Sequence, residues 1–343
     1  MISIKDIAKE LEITPSTVSR ALNGKKGVSK ELAARILKKC EELGYKQNAL
    51  AKSLITNKTD TIGIVIPDIT SRYYSFVVKG VNTCLEDHGY SLILCNANRS
   101  ADIEKRCLDL LLSRRVDGIL IISLTANPEE LIKLSERGIP IVQIDNVITP
   151  QLPAVINDNY RGACMLFEHM VQLGCRRIGC LMGRRNTWTS KDRLRAYRDV
   201  MAAHQIEVDE SLIFQIDSTP EEGYRATPKL LEHSPDAIFA INDTTAMGVL
   251  RWCMDNQVKV PEEVRLAGFD DLDIASMIHV PLTTVHQRKT SLGSSAALEL
   301  LQRIKNPDAA ERIITLMPSL KVRQSCGEEL ETPPHPFTWP RVQ

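Results

Sequence analysis

Residues 4–23 read IKDIAKELEITPSTVSRALN, a stretch that encodes two short helices with a turn between them. Ile4, Ile7, Ala8 and Leu11 recur at the spacing of one helical face. Ser3, with Asp6 three residues on, supplies a start signal of the capping-box kind. Thr14 is a second N-cap, and Pro15 sits at the first helical position, where its missing N–H costs nothing. Val18, Ala21 and Leu22 give the new helix its own apolar stripe. Two such helices joined by about three residues hold the second one outward, the geometry of a helix-turn-helix that enters a DNA major groove. A chance αα-hairpin would share the caps, so the surrounding charge matters.

That charge is unevenly placed. The chain has 343 residues with 43 basic and 43 acidic side chains. Residues 1–58 carry 12 Lys and Arg against 6 Asp and Glu, leaving 31 against 37 for the rest. Between Ile13 and Lys30 stand Arg20, Lys25, Lys26 and Lys30 with no acid, the footprint of a phosphate-binding face. After the GKKG turn, Ser29 caps a third helix with Leu32, Ile36, Cys40 and Leu43 inward and Gly44 as its stop. The 43% apolar and 25% charged content is that of an ordinary globular chain long enough for two or three domains. Nine cysteines are scattered singly, several inside apolar runs, and read as small buried hydrophobes in a reducing cytoplasm rather than a disulfide or zinc framework. No apolar stretch approaches the ~20 residues of a membrane span, and the start lacks a signal-peptide core, so the reading places the protein inside the cell, without membrane contact.

Residues 46–60, KQNALAKSLITNKTD, resemble a linker containing a short helix over 49–54 capped by Asn48. So short a helix persists only when something packs on it; composition alone fits a flexible linker with two Leu equally well. From Thr61 the pattern becomes alternating strands and helices. TIGIVIP, SLILCN, GILIIS and PIVQID are short apolar runs separated by helical segments at 76–88, 103–114 and 129–137. After AVIND a second series follows: helix 160–173, strand RIGCLMG, helices 192–204 and 223–232, strand AIFAIND, helix 244–256 and strand RLAGFDD. The class is therefore α/β, with two doubly wound parallel-sheet domains behind a small all-α head. A helix over 290–304 and a strand near 312–316 come last, before a Pro-rich tail at 328–343 expected to be disordered.

Ligands of open parallel sheets bind beyond the carboxyl ends of the strands. The residues there are Asp68, Asp145, Gly183, Asn242 with Asp243, and Asp270 with Asp271. Each Asp alone could be an N-cap or loop turn; together they suit a neutral polyhydroxylated ligand, since carboxylates accept hydroxyl hydrogen bonds and Asn both donates and accepts. Arg193 could fork onto two oxygens, and Tyr73, Tyr74 and Trp188 could stack on a sugar or base. No catalytic constellation, Walker A run, dinucleotide fingerprint or metal-ligand spacing is present, so no enzyme, cofactor or metal is expected.

These residues resemble the lactose/galactose repressor (LacI/GalR) family over residues 2 to about 326. The carrying motifs are IKDIAKELEITPSTVSRALNG, YKQNALAKSL, IGIVIPDIT, VDGILI, IDN, TSKDRLRAY, AINDTTAMG, and GFDD followed by PLTTV, in family order and spacing. The resemblance implies a repressor that binds palindromic double-stranded operator DNA as a homodimer, with a periplasmic-binding-protein-like core holding a small effector, a sugar or sugar derivative. It puts Pro15, Ser16 and Arg20 at base edges, Thr17, Ser19 and Asn23 against the DNA backbone, and Asn48 and Leu54 in a minor-groove hinge. Asp145, Arg193, Asn242 and Asp270 match effector contacts, with Asp68, Tyr73 and Tyr74 lining the first loop and Trp188 nearby in sequence. It implies a head at 1–46, a hinge at 47–58, a first core subdomain at 59–157 and 288–317, and a second at 158–287 and 318–327. Three departures stand out. Glu12 occupies a turn where the family prefers Gly, a strain of roughly 1 kcal/mol if its φ is positive. Gln47 replaces a common Pro. Arg72 replaces small or Asn-Pro residues, which, with Arg184 and Arg185 near Trp188 in sequence, keeps a phosphorylated effector open, alongside a nucleobase or nucleotide.

Overall fold

The computed structural model describes residues 2–22, 26–45, 58–183, 187–310 and 312–327. Asn23, Asn48, Leu54, Arg184, Arg185, the expected helix at 49–54 and the tail at 328–343 lie outside the described residues. Residues 1–59 and 60–343 are separate compact units, taken here one at a time.

In the head, α1 (Ile4–Glu10), α2 (Pro15–Leu22) and α3 (Lys30–Glu42) close around Ile7, Ala8, Val18, Ile36 and Cys40. Each start signal read from the sequence is present as a bond. Ser3 and Asp6 form the reciprocal capping box, with the Ser3 N–H donating to Asp6 Oδ2 at 2.8 Å. Thr14 Oγ1 accepts the Thr17 N–H at 3.3 Å, and Ser29 Oγ accepts the Leu32 N–H at 3.2 Å. Glu12, in the turn, has φ of 54°, and Gly44 ends α3 at φ of 62°. Gly reaches that region freely; Glu does not.

The second unit contains two six-stranded sheets. The first is built by β1 (Thr61–Ile66), β2 (Ser91–Asn96), β3 (Gly118–Ile121), β4 (Ile141–Ile144) and β5 (Ala154–Asn157). Helices α4 (Arg72–Asp87), α5 (Ala101–Ser113) and α6 (Pro128–Glu136) intervene. The second sheet is built by β6 (Ile178–Met182), β7 (Ile213–Gln215), β8 (Ala237–Ala240), β9 (Arg265–Asp270) and β10 (Thr283–His286). It is wound with α7 (Asn159–Gln172), α8 (Trp188–Ala203), α9 (Pro220–Leu231) and α10 (Asp243–Asp255). The chain then returns: α11 (Lys289–Lys305) packs Leu292, Ala296 and Leu300 into the apolar cluster of the first sheet. Then β11 (Ile313–Leu316) joins that sheet and β12 (Ser319–Lys321) joins the second. The orders are β11-β5-β4-β3-β1-β2 and β12-β10-β9-β8-β6-β7, parallel throughout except for β10 with β12.

Central strands are apolar on both faces because helices cover both; every residue of β3, β4, β5 and β8 is buried. Helices α4 and α11 cross at van der Waals distance through Gly80 and Gly293, where an added Cβ would fall 2.0 Å from the Thr290 and Val77 carbonyl oxygens. The three chain crossings run side by side. The Arg288 N–H donates to Asn157 Oδ1 at 3.2 Å, Arg288 Nε donates to the Met317 carbonyl at 3.1 Å, and the Asp158 N–H donates to the Leu316 carbonyl at 2.9 Å. All nine cysteines are free and buried.

Three strands escaped the sequence reading. IFQ, TTVH and SLK are three or four residues long and carry no apolar run. The helices of the second unit begin one to four residues earlier than apolar periodicity alone places them; side-chain caps open α5 to α10, whereas Ser71 before α4 and Arg288 before α11 make no cap bond. The largest such shifts put Tyr73, Tyr74 and Trp188 in first helical turns rather than loops. Replacing Glu12 by Gly is expected to stabilise the head by about 0.5–1 kcal/mol, by relief of left-handed strain. Hydrogen exchange of α1–α3 amides in the full chain should slow accordingly, with the core amides unchanged.

Candidate functional site

On α2, Pro15, Ser16 and Arg20 are exposed opposite the buried Val18, while Thr17 and Ser19 are half-buried. The face assigned to base edges is thus exposed, and Thr17 and Ser19, assigned to the DNA backbone, flank it on the same helix.

The carboxyl ends of both sheets border one cleft of about 540 Å³. Asp68 follows β1, Asp145 follows β4, Asn242 follows β8 and Asp270 ends β9. These four, with Tyr73, Tyr74 and Arg193, line the cleft. Trp188 does not. Its side chain is 39% exposed and lies outside the lining, which corrects the stacking role expected for it. Its contribution is a backbone N–H donated to Asn146 Oδ1 at 2.8 Å.

Hydrogen bonds fix what each group has left to offer. Asp145 Oδ1 accepts the Tyr73 hydroxyl at 2.6 Å, and Asp270 Oδ1 accepts Gln287 Nε2 at 2.6 Å. In each case the second oxygen has no partner among the described residues. Asn242 caps α10, its Oδ1 accepting the Thr245 N–H at 2.8 Å, so its amide N–H₂ remains a donor. Asp68 is more committed: it accepts from Thr70 twice and from Arg99 Nε at 3.2 Å.

Arg193 is 5% exposed. It stacks 3.6 Å above the Phe269 ring, donates to Asn159 Oδ1 through Nε at 3.1 Å and Nη2 at 2.8 Å, and donates Nη1 to the Ile241 carbonyl. Three of its five N–H groups are used, so it meets a ligand with at most two. Asn159, Phe269 and Gln287 are the residues that sequence reasoning missed. Gln287 follows β10, which was itself unread, and the other two sit in apolar or helix-start patterns that signal only packing.

The aspartates are held in uncommon states. Asp145, Asp270 and Asp271 have φ of 67°, 112° and 50°, costs of order 1–3 kcal/mol each that cluster at functional sites. Lys289, itself buried, donates Nζ to the carbonyls of Asp270 and Asp271 and so holds the strained pair. Burial raises the Asp145 carboxyl, opposed by the Tyr73 bond and Arg193. Burial also lifts Asp270 to about 6, against the pull of Arg193 and Lys289. Neighbouring Asp243, fully buried, is pushed up by burial and by the charge of Asp270.

Because Asp270 binds its proton more tightly folded than unfolded, where a carboxyl titrates near pH 4, stability attributable to it falls as pH rises from about 4 to about 6. Asp270→Asn is therefore expected to gain about 2 kcal/mol relative to wild type between pH 4.5 and pH 7.5, measured by urea unfolding of ligand-free protein. An unchanged difference between the two proteins at both pH values contradicts the assignment.

A family model described as bacterial regulatory proteins, lacI family, matches residues 3–48. Another, described as periplasmic binding proteins and sugar binding domain of LacI family, matches residues 59–322. The chain is 32% identical over 329 residues to the ribose operon repressor of Escherichia coli strain K12, covering 95% of this chain and 100% of the relative. It is 30% identical to the HTH-type transcriptional repressor PurR of Vibrio campbellii, covering 95% and 98%. Among solved structures, the transcriptional regulator CelR in its cellobiose complex matches with a TM-score of 0.73 at 28% identity, over 95% and 100% of the chains. The lac repressor dimer bound to operator and the anti-inducer ONPF matches with a TM-score of 0.86 at 24% identity, over 95% and 99%, a likeness of fold. Spanned by both models and by full-length regulatory relatives, the chain belongs to the LacI family: it is an effector-controlled, DNA-binding transcriptional repressor, not an enzyme.

Proposed function

We propose that this repressor acts in the bacterial cytoplasm as a homodimer on a palindromic operator, and that a neutral, sugar-type effector in the cleft sets its affinity for DNA. In this reading residues 1–46 read the half-site, residues 47–58 transmit the state of the core, and two subdomains, 59–157 with 288–317 and 158–287 with 318–327, enclose the effector. The observation that carries the effector class is the residual hydrogen-bonding capacity of the cleft. Two carboxylate oxygens on Asp145 and Asp270 and the Asn242 amide are open, while Arg193 is largely engaged by the protein. Hydroxyl groups, which donate and accept, match that set; a phosphate ester, which only accepts, does not.

A nucleobase is the second reading, favoured by the aromatic pair on the cleft. Tyr73 and Tyr74, however, meet at 77° with centroids 5.5 Å apart, so at most one presents its face to a planar ligand. Two of the similar proteins point toward sugars, one being named for the ribose operon and one solved with cellobiose.

A thermal-shift screen of sugars, sugar phosphates and nucleobases tests the effector. A neutral sugar is expected to stabilise wild type, and Asp270→Asn to lose at least tenfold in affinity for it, the scale of a hydrogen bond to a charged group. Stabilisation by a nucleobase alone overturns the sugar reading. On the DNA side, Arg20→Ala is expected to cost about 1–3 kcal/mol and to relax preference at one base pair per half-site. Electrophoretic titration against a palindromic operator and random duplex reads both effects; equal affinity of wild type for the two duplexes refutes operator recognition.

A further inference from the structure

Arg72 and Asp273 meet across the mouth of the cleft. Arg72 is the first residue of α4, in the helical layer of the first sheet, and Asp273 opens the short 3-10 turn Asp273–Ser276 that follows β9 of the second. Arg72 Nε donates to Asp273 Oδ1 at 2.7 Å and Nη2 donates to Oδ2, so one carboxylate fills the Nε/Nη2 edge of the guanidinium and pairs its charge, while the Nη1/Nη2 edge takes no part in the contact. The turn is fixed in place: Leu272 and Ile274 on either side of Asp273 pack on the apolar cluster of the first sheet. Arg72 itself lines the cleft. The contact holds the Asp273 carboxyl below its usual range, so it stays ionised wherever the protein works. Among the described residues, the other cleft-lining arginines are engaged as well, Arg99 by Asp68 and Arg193 by Asn159 and the Ile241 carbonyl.

We propose that the Arg72–Asp273 pair is a specificity gate: Asp273 occupies one of the two bidentate edges of Arg72 and neutralises its charge, so the cleft favours neutral polyhydroxylated ligands over phosphate esters and carboxylates. The inference deepens the sugar-type reading above and rests on it for the neutral half of the selectivity. An incoming anion must either displace a carboxylate that is already tethered and oriented or take the remaining edge of a guanidinium whose charge is already paired, and must do so near the charges of Asp68, Asp145 and Asp270. Asn can replace Asp273 with little local disturbance. Its carbonyl can still accept the Ile274 N–H that Asp273 Oδ1 accepts at 3.0 Å, but it carries no charge to satisfy Arg72.

The test uses the full chain as wild type, Asp273→Asn, and Asp273→Asn with Arg72→Gln. Inorganic phosphate is followed by line broadening of its phosphorus resonance. Calorimetry compares D-ribose with D-ribose 5-phosphate and D-glucose with D-glucose 6-phosphate. Wild type is expected to leave phosphate sharp and to favour a neutral sugar over its ester. Asp273→Asn is expected to broaden phosphate and to bind an ester about tenfold more tightly than wild type does, with the neutral sugar changed by less than about twofold. The double variant should lose that gain. Failure of Asp273→Asn to acquire phosphate or ester binding overturns the gate, as does a gain that survives the loss of Arg72 or a wild-type preference for an ester. If no neutral sugar binds any variant while Asp273→Asn takes phosphate through Arg72, the gate stands and the sugar-type reading falls.

Discussion

Arg193 buries a positive charge in the wall of the cleft, where taking an ion out of water costs several kcal/mol unless its surroundings replace the lost hydration. The protein supplies most of the replacement: an aromatic face beneath it at 3.6 Å, an amide oxygen held twice, and a backbone carbonyl. The fields of Asp270 and Asp145 supply the rest. The dependence runs both ways. Without the guanidinium, two buried carboxylates would face each other across the cleft with Lys289 as the principal counter-charge to Asp270. The apolar sheets set the positions of these groups, and the charge at their centre sets which groups remain available to a ligand.

This arrangement spends stability to create a site. Three aspartate backbones sit in the left-handed region and the carboxyls of Asp145, Asp243 and Asp270 are raised by burial. A packed core gains nothing from either feature. A ligand whose hydroxyls donate to Asp145 and Asp270 would return part of that energy, which makes closure of the cleft sensitive to ligand chemistry rather than to ligand size alone.

Much of this was legible in the sequence because it rests on local rules. Ser3, Asp6, Thr14 and Ser29 announced helix starts that the structure realises as hydrogen bonds, while Glu12, in its left-handed turn, was marked only by the family resemblance. The strand-end aspartates were legible because continuous apolar runs end abruptly at them. What escaped depends on tertiary context. The strand TTVH looks polar until Thr283 and Thr284 are seen to spend their hydroxyls on the Arg323 carbonyl and on Asp243. Gln287 and Asn159 carry no periodic signal, since they act through partners distant in sequence, Asp270 and Tyr73 for Gln287 and Arg193 for Asn159. Trp188, as a large aromatic, is expected to stack on a ligand, yet it is not among the lining residues, and its contribution is the backbone N–H donated to Asn146 Oδ1.

The three chain crossings, bonded to one another through Arg288, Asn157 and Asp158, act mechanically as a flexure. A single linking strand would let the two sheets bend, twist and slide. Three ribbons laid in parallel and cross-braced bend easily in one plane, while torsion and shear would stretch at least one of them. Opening and closing are thereby reduced to nearly one degree of freedom. Whatever free energy a ligand contributes at the cleft is then delivered as rotation about a single axis, instead of being dissipated among many small adjustments.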